Sequence, residues 1–380
     1  MYKCERKSRH GVQKAELGQR LIQSQTQGGS SEQYMYYIGL DVHKKTISYC
    51  VKHGGGEVYA EGVLNATRGA LDGWLKTLPQ PWTGAMEATM FTGWIYDYLR
   101  PHATALKVGH PLMLRAIACS KKKNDRVDAG KIADLLRCDL LPESYMAPSA
   151  LRERRRALRY RNLLVRQNVQ MKNKLAGLLM ETGVTYNKEK LHQKRYFAEL
   201  LSHNAEVEEN AKPLLKIGRE TIERLSQTER ALVRTLERDS LLAARLQRLI
   251  SIPGVGIVTA LSWALEMGEV SRFASLKHAV SYCGLCSGEN SSAGMQKRSP
   301  ISKQRNKHLQ TVLIEAAKLA PRWNSDLALL YEKEKQRGNH NRATLAVARK
   351  IVAYLLAVDR REQPFQGGKK EKAPLAQTAA

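Results

Sequence analysis

The sequence is short of acid. Its 380 residues include 36 Asp and Glu against 62 Lys and Arg, a formal net charge of +26 with histidine neutral. Metabolic enzymes of this size sit within several charges of neutrality, so the imbalance argues against that class. It points to a long polyanionic partner, DNA or RNA, whose condensed counterions are released on binding. The sequence also lacks a run of about 18 apolar residues, so no helix is predicted to cross a membrane. Cysteine is sparse. Cys4, Cys50, Cys119, Cys138, Cys283 and Cys286 lie in a long chain with no secretory leader, which predicts reduced thiols and an intracellular protein. Cys283 and Cys286 form one CxxC, but no second pair or HxxxH stands nearby to complete a zinc site, so they read as packing thiols. A second glycine-rich phosphate loop is missing too, which argues against a sugar-kinase-like fold despite the GLDV at Gly39 to Val42. What the chain does have is 43% hydrophobic residues, enough to bury a core, and a length that suits two or three domains.

Residues 1–34 are polar and broken by Gly28, Gly29, Ser30 and Ser31, and read as a flexible tail. A compact alternation then begins. Strands are predicted at Met35 to Val42, Thr46 to Lys52 and Glu57 to Gly62, the last entered through the turn Gly54 to Gly56. A helix over Thr67 to Lys76, a strand over Thr83 to Glu87, a helix from Phe91 to Arg100 and a strand over Ala103 to Val108 follow. Helices at Pro111 to Cys119 and Arg126 to Arg137 close the unit. The order β-β-β-α-β-α-β-α is that of a ribonuclease-H-like fold, giving an α/β domain over residues 35–148.

Residues 149–247 are predicted as a helical region. Between Leu151 and Lys174 stand nine basic residues, among them Arg152, Arg155, Arg156 and Arg159, and one acid, Glu153. Leu151, Leu158 and Val165 recur at heptad spacing, as do Leu225 and Leu232 in a second stretch from Glu220 to Leu249. A pair of long helices, possible as an antiparallel coiled coil, is expected, joined by a less regular segment from Tyr186 to Lys216. The charge ratio favours a phosphate-facing stripe over a merely solvated hairpin. Residues 248–360 form a mainly helical C-terminal domain opening on IPGVGIVTA, Ile252 to Ala260. Its two glycines suit either a helix-hairpin-helix, whose amides can hold a phosphate, or a plain turn between helices. A helix near Leu276 to Tyr282, a small polar loop from Gly284 to Pro300 and a helix over Lys307 to Leu319 are predicted next. Lys297, Arg298, Lys303, Arg305 and Lys307 fall there with no acid between them. Residues 361–380 read as a disordered basic tail.

Four carboxylates stand where the predicted α/β layout would use them: Asp41 and Glu87 at strand ends, Asp125 and Asp128 at the start of the last helix. The last two share one helix face at about 5–6 Å. Carboxylates converging from separate elements supply the hard oxygens that Mg²⁺ takes, and one or two such ions serve phosphoryl transfer. Taken singly, Asn124 or Asp125 reads equally well as a helix cap with Asp128 in the first turn, Asp41 as a turn residue and Glu87 as a strand-end charge. The four together, in order and beside Lys121, Lys122, Lys123 and Arg126, suit a metal site facing a phosphate backbone.

The strings IGLDVHKKT (Ile38 to Thr46), MEATM (Met86 to Met90), KKNDRVDAGKIADLL (Lys122 to Leu136), IPGVGIVTA, RFASLKHAVSYCGL (Arg272 to Leu285) and SSAGMQKRSPISKQRNKHLQ (Ser291 to Gln310) resemble the DEDD transposases of the insertion-sequence 110 group, over about Tyr37 to Leu319. The resemblance implies a RuvC-like N-terminal domain whose catalytic, metal-holding tetrad is Asp41, Glu87, Asp125 and Asp128, and a C-terminal transposase domain supplying a serine that attacks DNA. Position within the motif indicates Ser292. Ala293, Ser287 and Ser299 depart from the family pattern, which keeps Ser291 as a second candidate. The resemblance further implies a composite site shared between protomers of a homodimer or homotetramer, donor and target DNA as substrates, a structured bridge RNA as guide, and a cytoplasmic, nucleoid-associated location. The alternatives are a guide-independent RuvC-like invertase or junction nuclease, and a binding protein with a degenerate nuclease core.

Overall fold

A computed structural model of the chain describes residues 35–117, 124–203, 207–292 and 294–366. The chain divides into two compact units, residues 1–149 and 150–380.

The first unit is built on one five-stranded sheet. Strands β1 (Tyr36–Val42), β2 (Thr46–Lys52) and β3 (Val58–Asn65) form an antiparallel meander; helix α1 (Arg68–Leu75) leads to β4 (Trp82–Glu87), and α2 (Thr92–Leu99) leads to β5 (Ala105–Gly109). The sheet order is β3-β2-β1-β4-β5, with β4 parallel to β1 and β5 parallel to β4. Helices α3 (Pro111–Ile117) and α4 (Asp125–Arg137) complete the unit. Residues β1 and β4 alternate strictly between two faces, as the two-residue period of a strand requires. Ile38, Leu40, Val42, Trp82 and Met86 pack with Leu71, Trp74, Ile95 and Leu99 of α1 and α2. Tyr37 and Ala85 belong to the opposite core, with Ile132 and Leu136 of α4. The sheet is thus covered on both faces.

The second face carries small side chains because α4 lies close upon it. A Cβ added at Gly39 would stand 2.0 Å from the Ala129 carbonyl oxygen and 2.5 Å from the Ala133 nitrogen. Only glycine admits the helix at that distance. Two ion pairs pin the helix further: Lys52 Nζ to Asp134 at 2.6 Å, and Arg126 to Glu61 on β3.

Among the described residues the second unit is helical apart from one hairpin. Helix α5 (Ser149–Glu181) runs antiparallel to α7 (Ala211–Glu237), with α6 (Lys194–His203) between them in sequence. The pairing is read from Gly218 against Leu175, the Asn168 amide donating to Ser226 Oγ, and Arg161 bound to Glu229. Leu175, Leu179, Leu191, Phe197, Leu215 and Ile222 form a core at one end of this pair. At its other end Leu158 and Leu236 enter the larger core. That core is made by α8 (Ser240–Ile250), α9 (Ile257–Ser262) with its π-helical continuation Trp263–Met267, α10 (Leu276–Tyr282), α11 (Lys307–Leu319), α12 (Ser325–Gln336) and α13 (His340–Arg361).

The structure differs from the sequence expectations in three segments. The segment from Gly284 to Pro300 is not a loop: β6 (Ser287–Ser292) and β7 (Met295–Ile301) pair as an antiparallel hairpin, turning beside Gly294 at φ +79°. The irregular segment from Tyr186 to Lys216 contains α6 and the first turn of α7, because Phe197, Leu200 and Leu201 gain a core to pack against. The start of the expected disordered tail, 361–366, is ordered: the Phe365 ring packs on Tyr354 at 4.8 Å between centroids, and its amide donates to Ser251 Oγ. Residues 1–34, 118–123 and 367–380, which include the N-terminal tail and Lys121, Lys122 and Lys123, lie outside the described residues.

Candidate active site

Strand register places the first two carboxylates. Leu40 of β1 pairs with Met86 of β4 in parallel, so Asp41 and Glu87, each one residue further, are neighbours at the same end of the sheet. By alternation they share the face of Gly39 and Ala85, the face on which α4 lies. Asn124 caps α4, its side chain accepting from the Arg126 amide, which puts Asp125 and Asp128 in the first turn. The close approach at Gly39 brings that turn to the end of β1. The positive end of the helix dipole favours ionised carboxylates there.

A histidine joins Asp41 and Asp125. His43 Nε2 lies 3.2 Å from Asp41 Oδ2 and 3.4 Å from Asp125 Oδ2. Asp41, His43 and Asp125 each offer a ligand atom within 4.8 Å of the others. His43 was not singled out from sequence. The available signal was its place two residues after Asp41, on the same side of an extended chain. Burial pushes the Asp41 carboxyl above the ordinary range; His43 opposes this, while Asp125 and Asp128 push the same way. Asp128 is therefore close enough to act on Asp41 electrostatically, and it also accepts from Lys131 at 3.4 Å. A carboxylate pushed up by burial first and by its acidic neighbours second is what a cation would relieve. Two carboxylates and an imidazole fit a divalent metal ion; Asp128, further along the first turn of the helix, and Glu87, at the neighbouring strand end, lie outside this three-residue group.

The candidate serines lie in the second unit. Ser292 ends β6 at the hairpin turn and is exposed. Ser291, on the opposite face of the strand, donates its hydroxyl to Glu289 at 2.8 Å.

The basic residues expected to meet phosphate divide into two groups. Arg159 donates from Nε and Nη2 to the two oxygens of Glu266 at 2.7 and 2.8 Å. Arg155 donates to the Leu265 carbonyl at 2.7 Å, and Arg152 too has an interaction within the protein. Arg126 is held by Glu61. These four are engaged internally. Arg305 donates to the Ser302 carbonyl, while Arg156, Lys303 and Lys307 are exposed, and Lys297 and Arg298 lie on β7. Sequence reasoning did not foresee Glu266. It is 1% exposed within the π-helical turn and accepts from Asn306 Nδ2 at 2.9 Å as well. Burial pushes its carboxyl up, but the hydrogen bonds from Arg159 and Asn306 and the charges of Arg159 and Arg155 win and hold it below the ordinary range. Its only sequence signal was one acid inside the apolar stretch from Trp263 to Met267. Cys283 packs beside Met267, and burial pushes its thiol up to about 12.

A clustered acidic site on an α/β sheet, in one strongly basic chain with a helical unit, suits a metal-dependent enzyme acting on nucleic acid, and sequence comparison identifies which kind. A DEDD-type IS110 transposase model matches residues 38–184, and the Transposase IS116/IS110/IS902 family model matches residues 246–332. The two matches together span more than half of the chain, and the chain belongs to the IS110 group of DEDD transposases. It is 28% identical over 256 residues to a transposase for insertion sequence element IS1111A of Coxiella burnetii, covering 65% of this chain and 69% of that one. It is 25% identical over 298 residues to the transposase for insertion sequence element IS1328 of Yersinia enterocolitica, covering 74% and 83%. A pilin gene-inverting protein of Moraxella bovis is 28% identical over 124 residues, 32% of this chain and 38% of that protein. DNA is therefore the substrate. Among the described residues no helix is long and apolar enough to cross a membrane.

Proposed function

We propose that this transposase breaks and rejoins DNA through a phosphoserine intermediate, with Asp41, Glu87, Asp125 and Asp128 as its Mg²⁺-holding tetrad and Ser292 as its nucleophile. The observation that carries the metal site is the convergence of Asp41, His43 and Asp125 at the end of β1. The sheet order and mixed polarity support a ribonuclease-H-like, RuvC-like domain for this site. The antiparallel pairing of α5 with α7 supports a coiled coil, and the Gly254 turn at φ +90° between α8 and α9 supports a helix-hairpin-helix.

A bound divalent ion supplies charge neutralisation at the reacting phosphate. The chain supplies the rest. Asp41 and Glu87, fixed by strand register, and Asp125 and Asp128, fixed by a capped helix, hold the site with little freedom to reorganise. Ser292 at the tip of a hairpin can reach a phosphate without moving the core. Its Oγ forms a bond to phosphorus, the bond from phosphorus to a deoxyribose oxygen breaks, and that oxygen leaves with a proton. A hydroxyl needs activation for this, and the tetrad of another protomer in a homodimer or homotetramer provides it. Exposed Arg156, Lys303 and Lys307, with Lys297 and Arg298, contact donor and target DNA backbones, and the remaining positive charge accommodates a bridge RNA guide. The gene-inverting relative supports a second reading, guide-independent inversion by the same site.

The test is to purify the protein from cells carrying the DNA that flanks its gene, then sequence co-purified RNA and covalently attached DNA. Recovery of both is expected, with Ser292→Ala losing the covalent DNA. Attached DNA without RNA supports inversion without a guide; recovery of neither overturns the proposal.

A further inference from the structure

We infer that the second unit holds an unpaired nucleotide in a groove between α5, α9 and α11, with the base against Trp323 and the phosphate toward Arg166 and Lys307. The groove has a volume of about 860 Å³. Its walls are largely apolar, including Val258, Val312 and Leu319, and it is bordered by the glycine turn before α9. Trp323 is 72% exposed and Leu319 52% exposed. An exposed indole and an exposed leucine at a largely apolar groove offer a flat apolar face on which a ring could stack.

Charge complementarity selects the occupant. Arg166 and Lys307 are exposed at the groove, and the acid there, Glu315, is bound by Lys318 at 2.7 Å. Arg161, also a lining residue, is occupied by Glu229. An apolar peptide would satisfy the walls and leave two cations unanswered. A nucleotide satisfies both, because every base offers a flat π-face and every linkage one negative charge. The base must be unpaired, since a duplex keeps its faces stacked and cannot offer one to Trp323. The inference rests on membership of a DNA-transposing family and is independent of whether Ser292 is the nucleophile.

Anisotropy titrations of the full chain with labelled oligothymidine and oligouridine of about twelve nucleotides, and with a duplex of similar length, test it. Trp323→Ala is expected to weaken single-strand binding about tenfold or more, with Trp323→Phe within about threefold of wild type and duplex binding unchanged. Arg166→Gln should lower the salt slope for single strands by roughly 0.7. A greater loss with oligothymidine assigns the site to DNA, and a greater loss with oligouridine assigns it to RNA. The inference is overturned if Trp323→Ala leaves single-strand affinity unchanged, weakens duplex equally, or alters the sedimenting species, which would mean that the groove seats a second copy.

Discussion

Replacing Glu266 by alanine removes a buried acceptor that ties the π-helical turn to α5 and to the residue capping α11. Arg159 loses both of its bonds, Asn306 loses the nearer acceptor of its amide but keeps Tyr282 Oη at 3.5 Å and still caps α11, and Arg155 loses a nearby negative charge. Removing one partner of a buried pair costs about 3–5 kcal/mol. Arg159 is 47% exposed, so water rehydrates part of its freed charge and the expected cost falls to roughly 2–3 kcal/mol. In a unit of this size that corresponds to a fall in Tm of about 4–12 °C. Urea unfolding with an unchanged m-value, combined with Arg159→Ala in a double-mutant cycle, measures the coupling directly. The pH dependence has a definite sign. The folded-state value of Glu266 is depressed, so its contribution is present above the unfolded carboxylate value and is lost as pH falls through the folded one. Glu266→Gln should remove that acid-side loss. A cost below about 0.5 kcal/mol, or no coupling to Arg159, would refute the reasoning.

Other outcomes follow from the same structure. Gly39→Ala puts a methyl into the α4 backbone, so it should destabilise the first unit by about 1–3 kcal/mol or more and depress transposition, read by urea unfolding and a plasmid assay. Asp41→Asn should abolish transposition yet raise the melting temperature of the metal-free protein at neutral pH. The folded value of Asp41 is raised, so the penalty it imposes is absent at acid pH and grows as pH rises through that value; the substitution should flatten this trend in chelator-treated protein. His43→Ala should weaken divalent-ion binding in calorimetry by roughly tenfold or more if the imidazole is a ligand.

Much of the first unit was legible because its signals are local. Strands of alternating residues bounded by glycine turns, and a helix opened by Asn124, are written within a few residues of themselves. Asp41 and Asp125 could be singled out by type and order, but their approach depends on Gly39, whose contact with Ala129 crosses ninety residues of sequence. The β6–β7 hairpin was illegible for the opposite reason: SGENSS lacks the β-branched and aromatic residues that announce a strand, and pairing with β7 makes it one. Nor could the arginine-rich helix be sorted from its own sequence. Its internal partners, Asp239, Glu266 and Glu229, lie far along the chain. The net charge is consequently a poor count of phosphate contacts, since part of the arginine-rich stretch holds the second unit together.

The proposed reaction carries DNA through a covalent serine ester dependent on the acidic cluster. Protease digestion of a trapped protein–DNA complex, followed by mass spectrometry of the nucleotide-bearing peptide, tests it most directly. A nucleotide adduct on Ser292 in the wild-type protein, absent from Asp41→Asn, is predicted; cleaved DNA with free ends and no adduct on any serine would contradict it.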